Sequence, residues 1–256
     1  MATSNRTAAH SPLTRALLRC GVLAGPLFVA VFVMEGTKRR DYSPMQQPVS
    51  ALALGPRGFV QTANFVVVGT LYVAGSRGLS RAGSGNGRLV PALIGGAGVG
   101  LLAAARFPTD PVPGYPPGSD SSPPHQTTTG MLHNLASVPV FLGVSASAAL
   151  SAVKATRRGE HAWAAYSAAS GATMLATTVA AGAGFGQSPQ VVGVAGLLQR
   201  VSIVSGFSWV SIACARALRQ RIHSEPKAPL NPRFRTRAHG RSRSCVRDPG
   251  RCSDSR

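Results

Sequence analysis

Residues 89–105 read LVPALIGGAGVGLLAAA, seventeen positions without a charge. At about 1.5 Å of rise per residue, a helix of that length spans roughly 25 Å, the short end of a bilayer crossing. A helix on a water-soluble core would carry polar residues along one face. This stretch carries none, and Arg88 and Arg106 bracket it. Beyond it, residues 106–130 hold Pro108, Pro111, Pro113, Pro116, Pro117, Pro123 and Pro124, a density no helix survives. The pattern of apolar rod followed by polar loop then repeats in both directions. Upstream lie apolar segments 16–34 and 59–75; downstream lie 131–153, 162–185 and 193–218.

Composition agrees with hydrocarbon as the solvent. Of 256 residues, 44 % are hydrophobic and only 14 % charged, against about 25 % charged in soluble chains. The net charge is +19, but the charges sit between the apolar segments and collect at the C-terminal end. These features exclude an ordinary soluble enzyme domain and a wholly disordered chain. They predict an all-α fold: a six-helix transmembrane bundle over residues 15–220. Residues 1–14 are expected to be a disordered N-terminus, and residues 221–256 a disordered, Arg-rich cytoplasmic tail. The first apolar segment reads as a spanning helix rather than a cleaved signal, because Glu35-Gly36-Thr37-Lys38 follows it in place of a small-residue cleavage site. Small residues such as Gly95, Gly98, Ser145, Ser147, Gly182 and Gly184 recur in the spans and read first as close helix packing.

Six spans leave both termini on one side. Lys and Arg are concentrated at the N-terminus, in the second and fourth connections and in the tail, with Lys38, Arg39, Arg40, Arg57 and Arg106 on the opposite side. The positive-inside rule then places the chain in the cell's inner or plasma membrane with both termini cytoplasmic. The acids Glu35, Asp41, Asp110 and Asp120 fall in the two long outward loops. The tail cannot bury enough apolar area to offset chain entropy. Its arginines suit anionic lipid headgroups, at about 1 kcal/mol per basic residue near the surface. With Phe234 its one aromatic, nucleic acid ranks below lipid as a partner. Nothing in the sequence fixes the oligomeric state.

The outward ends of the spans collect Tyr42, Ser50, Arg106, Asp110, His125, His133, Asn134, Gln199 and Arg200. Ionisable groups at a span boundary pair or line a wet cavity, because an unpaired charge in hydrocarbon is costly. Arg106 or Arg200 is expected to pair with Asp110. Three readings stay open. The cluster is structural, locking the outer helix ends. Or it binds a lipid headgroup or small polar ligand, with Arg106 and Arg200 meeting an anionic group. Or it is a metal-dependent hydrolase site in which Asp110, His125 and His133 hold zinc and Ser50 assists. Zinc enters only under the third reading, and no cofactor is expected otherwise. No GxxxxGK[ST], HExxH or GxSxG motif is present, and no charge sits at the middle of any span.

Five strings in order carry a resemblance: PVSALALGP (48–56), ANFVVVG (63–69), FPTDP (107–111), LHNLAS (132–137) and GLLQR (196–200). Together they resemble the domain-of-unknown-function 998 family of bacterial and archaeal membrane proteins, over about residues 17–220. The resemblance implies a six-helix membrane domain and no established activity. It singles out Ser50, Asn64, Phe107, Asp110, His133, Gln199 and Arg200. Where family members often carry an acid after the serine, this chain has Ala51.

Overall fold

The computed structural model describes residues 11–83, 87–119 and 126–223, the side chains of 221–223 excepted. Six helices run through them: α1 (Pro12–Thr37), α2 (Gly58–Ala82), α3 (Leu89–Arg106), α4 (Thr128–Arg157), α5 (His161–Phe185) and α6 (Ala195–His223). No strand forms among the described residues. Five helices are long and apolar enough to cross a membrane. Helix α5, rich in Ala, Ser and Thr, matches them in length, with 25 residues, and packs between α4 and α6. Each helix packs on its neighbours in sequence, and α6 returns to α1, so the six close a ring.

Helix ends follow local chemistry. Ser11 caps α1, accepting from Thr14 N–H at 3.2 Å, with Pro12 in the first turn. The helix thus starts three residues before the expected boundary at 15. Thr127 caps α4, accepting from Gly130 N–H at 3.0 Å. The larger departure is α2, which runs on to Ala82 rather than ending near 75. Arg77 and Arg81 lie within its last turns, where long basic side chains reach back to the membrane interface.

Small residues set the helix spacing. A Cβ added to Gly75 of α2 would lie 2.7 Å from Gly21 Cα of α1, and Cys214 of α6 closes the same junction. Within the ring, Phe207 stacks its faces and edges against Phe28 (ring centroids 5.0 Å apart) and Tyr72 (5.1 Å). Outside it the usual burial pattern inverts. Leu23, Phe59, Val99, Leu135 and Val179 are exposed large apolar residues, a surface that hydrocarbon covers.

The short α4–α5 connection folds over an ion cluster. Glu160 accepts from Arg158 at 2.6 Å and from Arg216 at 3.0 Å, and the Arg216 guanidinium lies 4.5 Å over the Trp163 ring. The Arg158 hydrogen bond, with both positive charges, holds the Glu160 carboxyl below the usual range.

Two glycines test this packing in opposite directions. Gly75→Ala forces Gly21 aside and is expected to destabilise the fold by about 1–3 kcal/mol, the usual cost of overpacking. Gly182 in α5 has nothing within 4 Å of an added Cβ. Gly182→Ala should therefore stabilise by up to about 1 kcal/mol through helix propensity. Thermal unfolding in one detergent ranks the two; equal shifts would refute the close α1–α2 contact.

Candidate functional site

The loop joining α1 and α2 is a folded cap, built around a buried acid. Glu35, 3 % exposed at the end of α1, accepts from Arg57 Nη2 at 2.6 Å and Nε at 3.2 Å, and from Arg39 Nη2 at 3.4 Å. Its hydrogen bond and charge hold the Arg57 guanidinium above its ordinary range. Arg39 then reaches across the loop. It donates to the carbonyls of Leu52 and Leu54, both at 2.8 Å, and to the Tyr115 hydroxyl at 2.7 Å. These bonds seat a 3-10 helix, Val49–Ala53, over the end of the bundle.

Helix α6 holds the cap from the other side. Gln199 Oε1 accepts the Val49 N–H at 2.8 Å. Arg200 donates to the carbonyls of Pro44 (2.6 Å), Gly196 (2.9 Å) and Gln47 (3.0 Å), and to the Tyr42 hydroxyl. Burial pushes the Tyr42 phenol up. It stays protonated at neutral pH and donates to Pro48 O at 3.0 Å. Five donors in a rigid fork make arginine the side chain that can tie several loop carbonyls at once.

The second long loop is tied to α4. Asp110 accepts from Thr127 N–H at 3.0 Å and from the Thr127 hydroxyl at 2.5 Å, extending the helix cap. Its carboxylate occupies the space a side chain at residue 130 would need, so the glycine there is obligatory. His133, 3 % exposed, bonds through Nδ1 to Phe107 O at 2.8 Å. A carbonyl only accepts, so Nδ1 carries a proton and donates this bond.

Below this cap lies a cavity of about 430 Å³. Its walls are mostly apolar: Phe28, Phe65, Val140, Ala181, Ile203 and Phe207. Ser50, Asp110, His133, Asn134 and Gln199 contribute polar groups to the lining. A mainly apolar wall with a few convergent polar groups, at this volume, is the form of a small-molecule site.

Five of the residues expected at the site therefore come together on one cavity. The rest do not line it. Asn64 is buried between helices, donating to Phe28 O at 3.2 Å. Arg106 is exposed, its guanidinium 5.7 Å from the Phe107 ring centre. The expected ion pair between Asp110 and Arg106 or Arg200 does not form: Asp110 is bound to Thr127, and Arg200 to the cap. His125 lies outside the described residues. Among the described residues no three His, Cys, Asp or Glu side chains gather where a metal would fit. Sequence reading passed over the cavity's apolar wall, and the roles of Glu35 and Arg39 in the cap. Acids and bases just beyond a span were the available signal for the latter.

Helices of bilayer length around a capped, hollow end define a multi-pass helical membrane protein. More narrowly, the chain belongs to the family described as protein of unknown function, DUF998, whose model matches residues 22–216. No curated protein and no solved structure matches it.

The two outer arginines should separate in stability. Arg200→Ala strips four acceptors of their partner and is expected to cost about 1–3 kcal/mol and to speed amide exchange across residues 42–54. Arg200→Lys should not restore it, since one ammonium cannot span those acceptors. Arg106→Ala should change neither measurement. A silent Arg200→Ala would show that the cap is held by other bonds.

Proposed function

We propose that this protein is a non-enzymatic binding protein of the inner or plasma membrane, with both termini cytoplasmic and the capped end facing outward. Its ligand is a small amphiphile with an uncharged, hydrogen-bonding polar end. The observation that carries this is the cavity, apolar along its walls and lined in part by Ser50, Asn134 and Gln199. The Ser50 and Asn134 side chains make no hydrogen bond to other described residues, so their polar groups are free for a ligand. His133 belongs to the same lining.

An anionic head fits less well. Neither Arg106 nor Arg200 lines the cavity, while the Asp110 carboxylate does. A lipid headgroup or small polar molecule is therefore accepted for its hydroxyl or amide groups rather than its charge. The hydrolase alternative, with zinc on Asp110, His125 and His133, gains nothing from the described residues: both Asp110 oxygens accept from Thr127, and His133 uses Nδ1 on Phe107. We further propose that the arginines of residues 224–256, outside the described residues, contact anionic lipid on the cytoplasmic leaflet.

Ala181 is 2 % exposed and lines the cavity. Ala181→Trp fills it. Native mass spectrometry of protein extracted in mild detergent should find a bound amphiphile in the wild type and none in Ala181→Trp of matched helicity. Ser50→Ala and Asn134→Ala should each weaken retention about 2- to 10-fold, the value of one hydrogen bond. Equal occupancy in wild type and Ala181→Trp would overturn the proposal.

A further inference from the structure

Helices α4 and α5 run antiparallel from the turn at residues 158–160, where Gly159 takes the left-handed conformation (φ +73°). Toward that turn they are in close contact. A Cβ added to Gly171 would lie 3.0 Å from Ser145 O and 3.1 Å from Ala148 Cβ. Eleven residues further along each helix, about 16 Å toward the capped end, the same register sets Gly182 opposite Asn134. Here the contact is gone. Both residues are exposed and both line the cavity, and an added Cβ at Gly182 meets nothing within 4 Å.

The neighbouring seams stay closed at this level. Between α5 and α6, the Thr178 and Ser202 hydroxyls bond at 2.6 Å, and a Cβ on Gly184 would lie 2.6 Å from Ala195 Cβ. Between α3 and α4, one on Gly100 would lie 2.5 Å from Ala136 O. The opening is therefore a slot between the outer halves of α4 and α5. Leu135, Val138, Leu142 and Val179 surround it as exposed apolar residues. A slot with such a margin opens onto hydrocarbon rather than onto water.

Building on the binding function proposed above, we infer that the ligand is a single-chain lipid with an uncharged, hydroxyl-bearing head, admitted sideways from the bilayer through the α4–α5 slot. The apolar margin matches a chain already dissolved in the membrane. The cavity volume is of drug size, which suits one chain. The head meets Ser50, Asn134 and Gln199, and no lysine or arginine lines the cavity to neutralise a phosphate. Gly182 leaves the slot clear because it has no side chain.

The test uses the full chain in phosphatidylcholine vesicles containing a monoacylglycerol with a diazirine on its chain. Adducts are mapped by mass spectrometry after timed flashes. The wild type should label at Ile203 and Phe207, deep in the cavity, and at the lipid-facing residue Leu23. Gly182→Trp, or the less bulky Gly182→Leu, should slow deep labelling at least 10-fold while leaving Leu23 labelling unchanged. Gly182→Ala should keep the wild-type rate. A lysophosphatidic acid carrying the same diazirine should give at least 10-fold less deep labelling than the monoacylglycerol.

Deep labelling that Gly182→Trp and Gly182→Leu leave unslowed would overturn the lateral route and leave the cavity's binding role standing. Equal deep labelling by both probes would overturn the uncharged-head assignment. Wild-type protein labelled at Leu23 but not at Ile203 or Phe207 would remove the binding function itself.

Discussion

Hydrocarbon offers no hydrogen bonds, and that single fact organises the molecule. Every backbone polar group within the hydrocarbon core must find its partner inside the protein. Six helices meet the demand within themselves. The two long, proline-rich connections cannot, because proline removes donors and breaks the helical ladder. Their carbonyls must be met from elsewhere in the chain. Arg200 supplies Pro44 and Gln47; Arg39 supplies Leu52 and Leu54. The Glu35 carboxylate balances Arg39 and Arg57 at the point where α1 leaves the bundle. Without that arrangement the capping loop would hold unpartnered polar groups at the membrane surface, and nothing would roof the cavity.

The same arrangement explains how charges that look like a ligand site in sequence are tied into a hydrogen-bonded roof in space. Arginines, acids and a tyrosine clustered at helix ends suit an anion receptor. They equally suit a hydrogen-bonded roof. What separates the two is the number of partners already taken. Arg200 is committed to four acceptors and Asp110 to both donors of Thr127. The groups left for a ligand are neutral ones, the Ser50 hydroxyl and the Asn134 amide among them. The structural reading thus describes Arg200 and Asp110, and the binding reading proposed above draws on different residues.

How much of this the sequence disclosed follows from the range of the forces involved. Spans are legible because transfer to hydrocarbon is a sum over adjacent residues, so residues 89–105 could be read alone. The end of α2 was misjudged because Arg77 and Arg81 look like a loop, although long side chains let a helix continue through the interface. The capping loop was legible only as polar and proline-rich. Its fold depends on Arg200 reaching Pro44, a sequence separation of 156 residues that no local pattern encodes. Asp110 was assigned to an arginine on charge alone. The N–H and hydroxyl of Thr127 won because they lie at a helix start, where capping and the dipole favour a carboxylate. His133, Ser50, Asn134 and Gln199 line one cavity because topology alone converges the ends of spans.

The small residues carry the last step. Read along the sequence, Ser145, Ala148, Gly171 and Gly182 belong to one packing-grade composition, and nothing marks the last as different. In the structure the first three draw α4 and α5 together at mid-helix. Toward the capped end the same two helices line the cavity with mixed sizes, Phe141 and Ser137 on α4, Phe185 and Gly182 on α5. The cavity reaches this seam from the interior, where residues of the other helices, among them Phe28, Phe65 and Phe207, complete its wall. Gly182 sits at its margin, where neither helix supplies a partner to pack against. A small residue therefore closes the seam where the facing helix meets it, as at Gly171, and leaves it open where nothing does, as at Gly182.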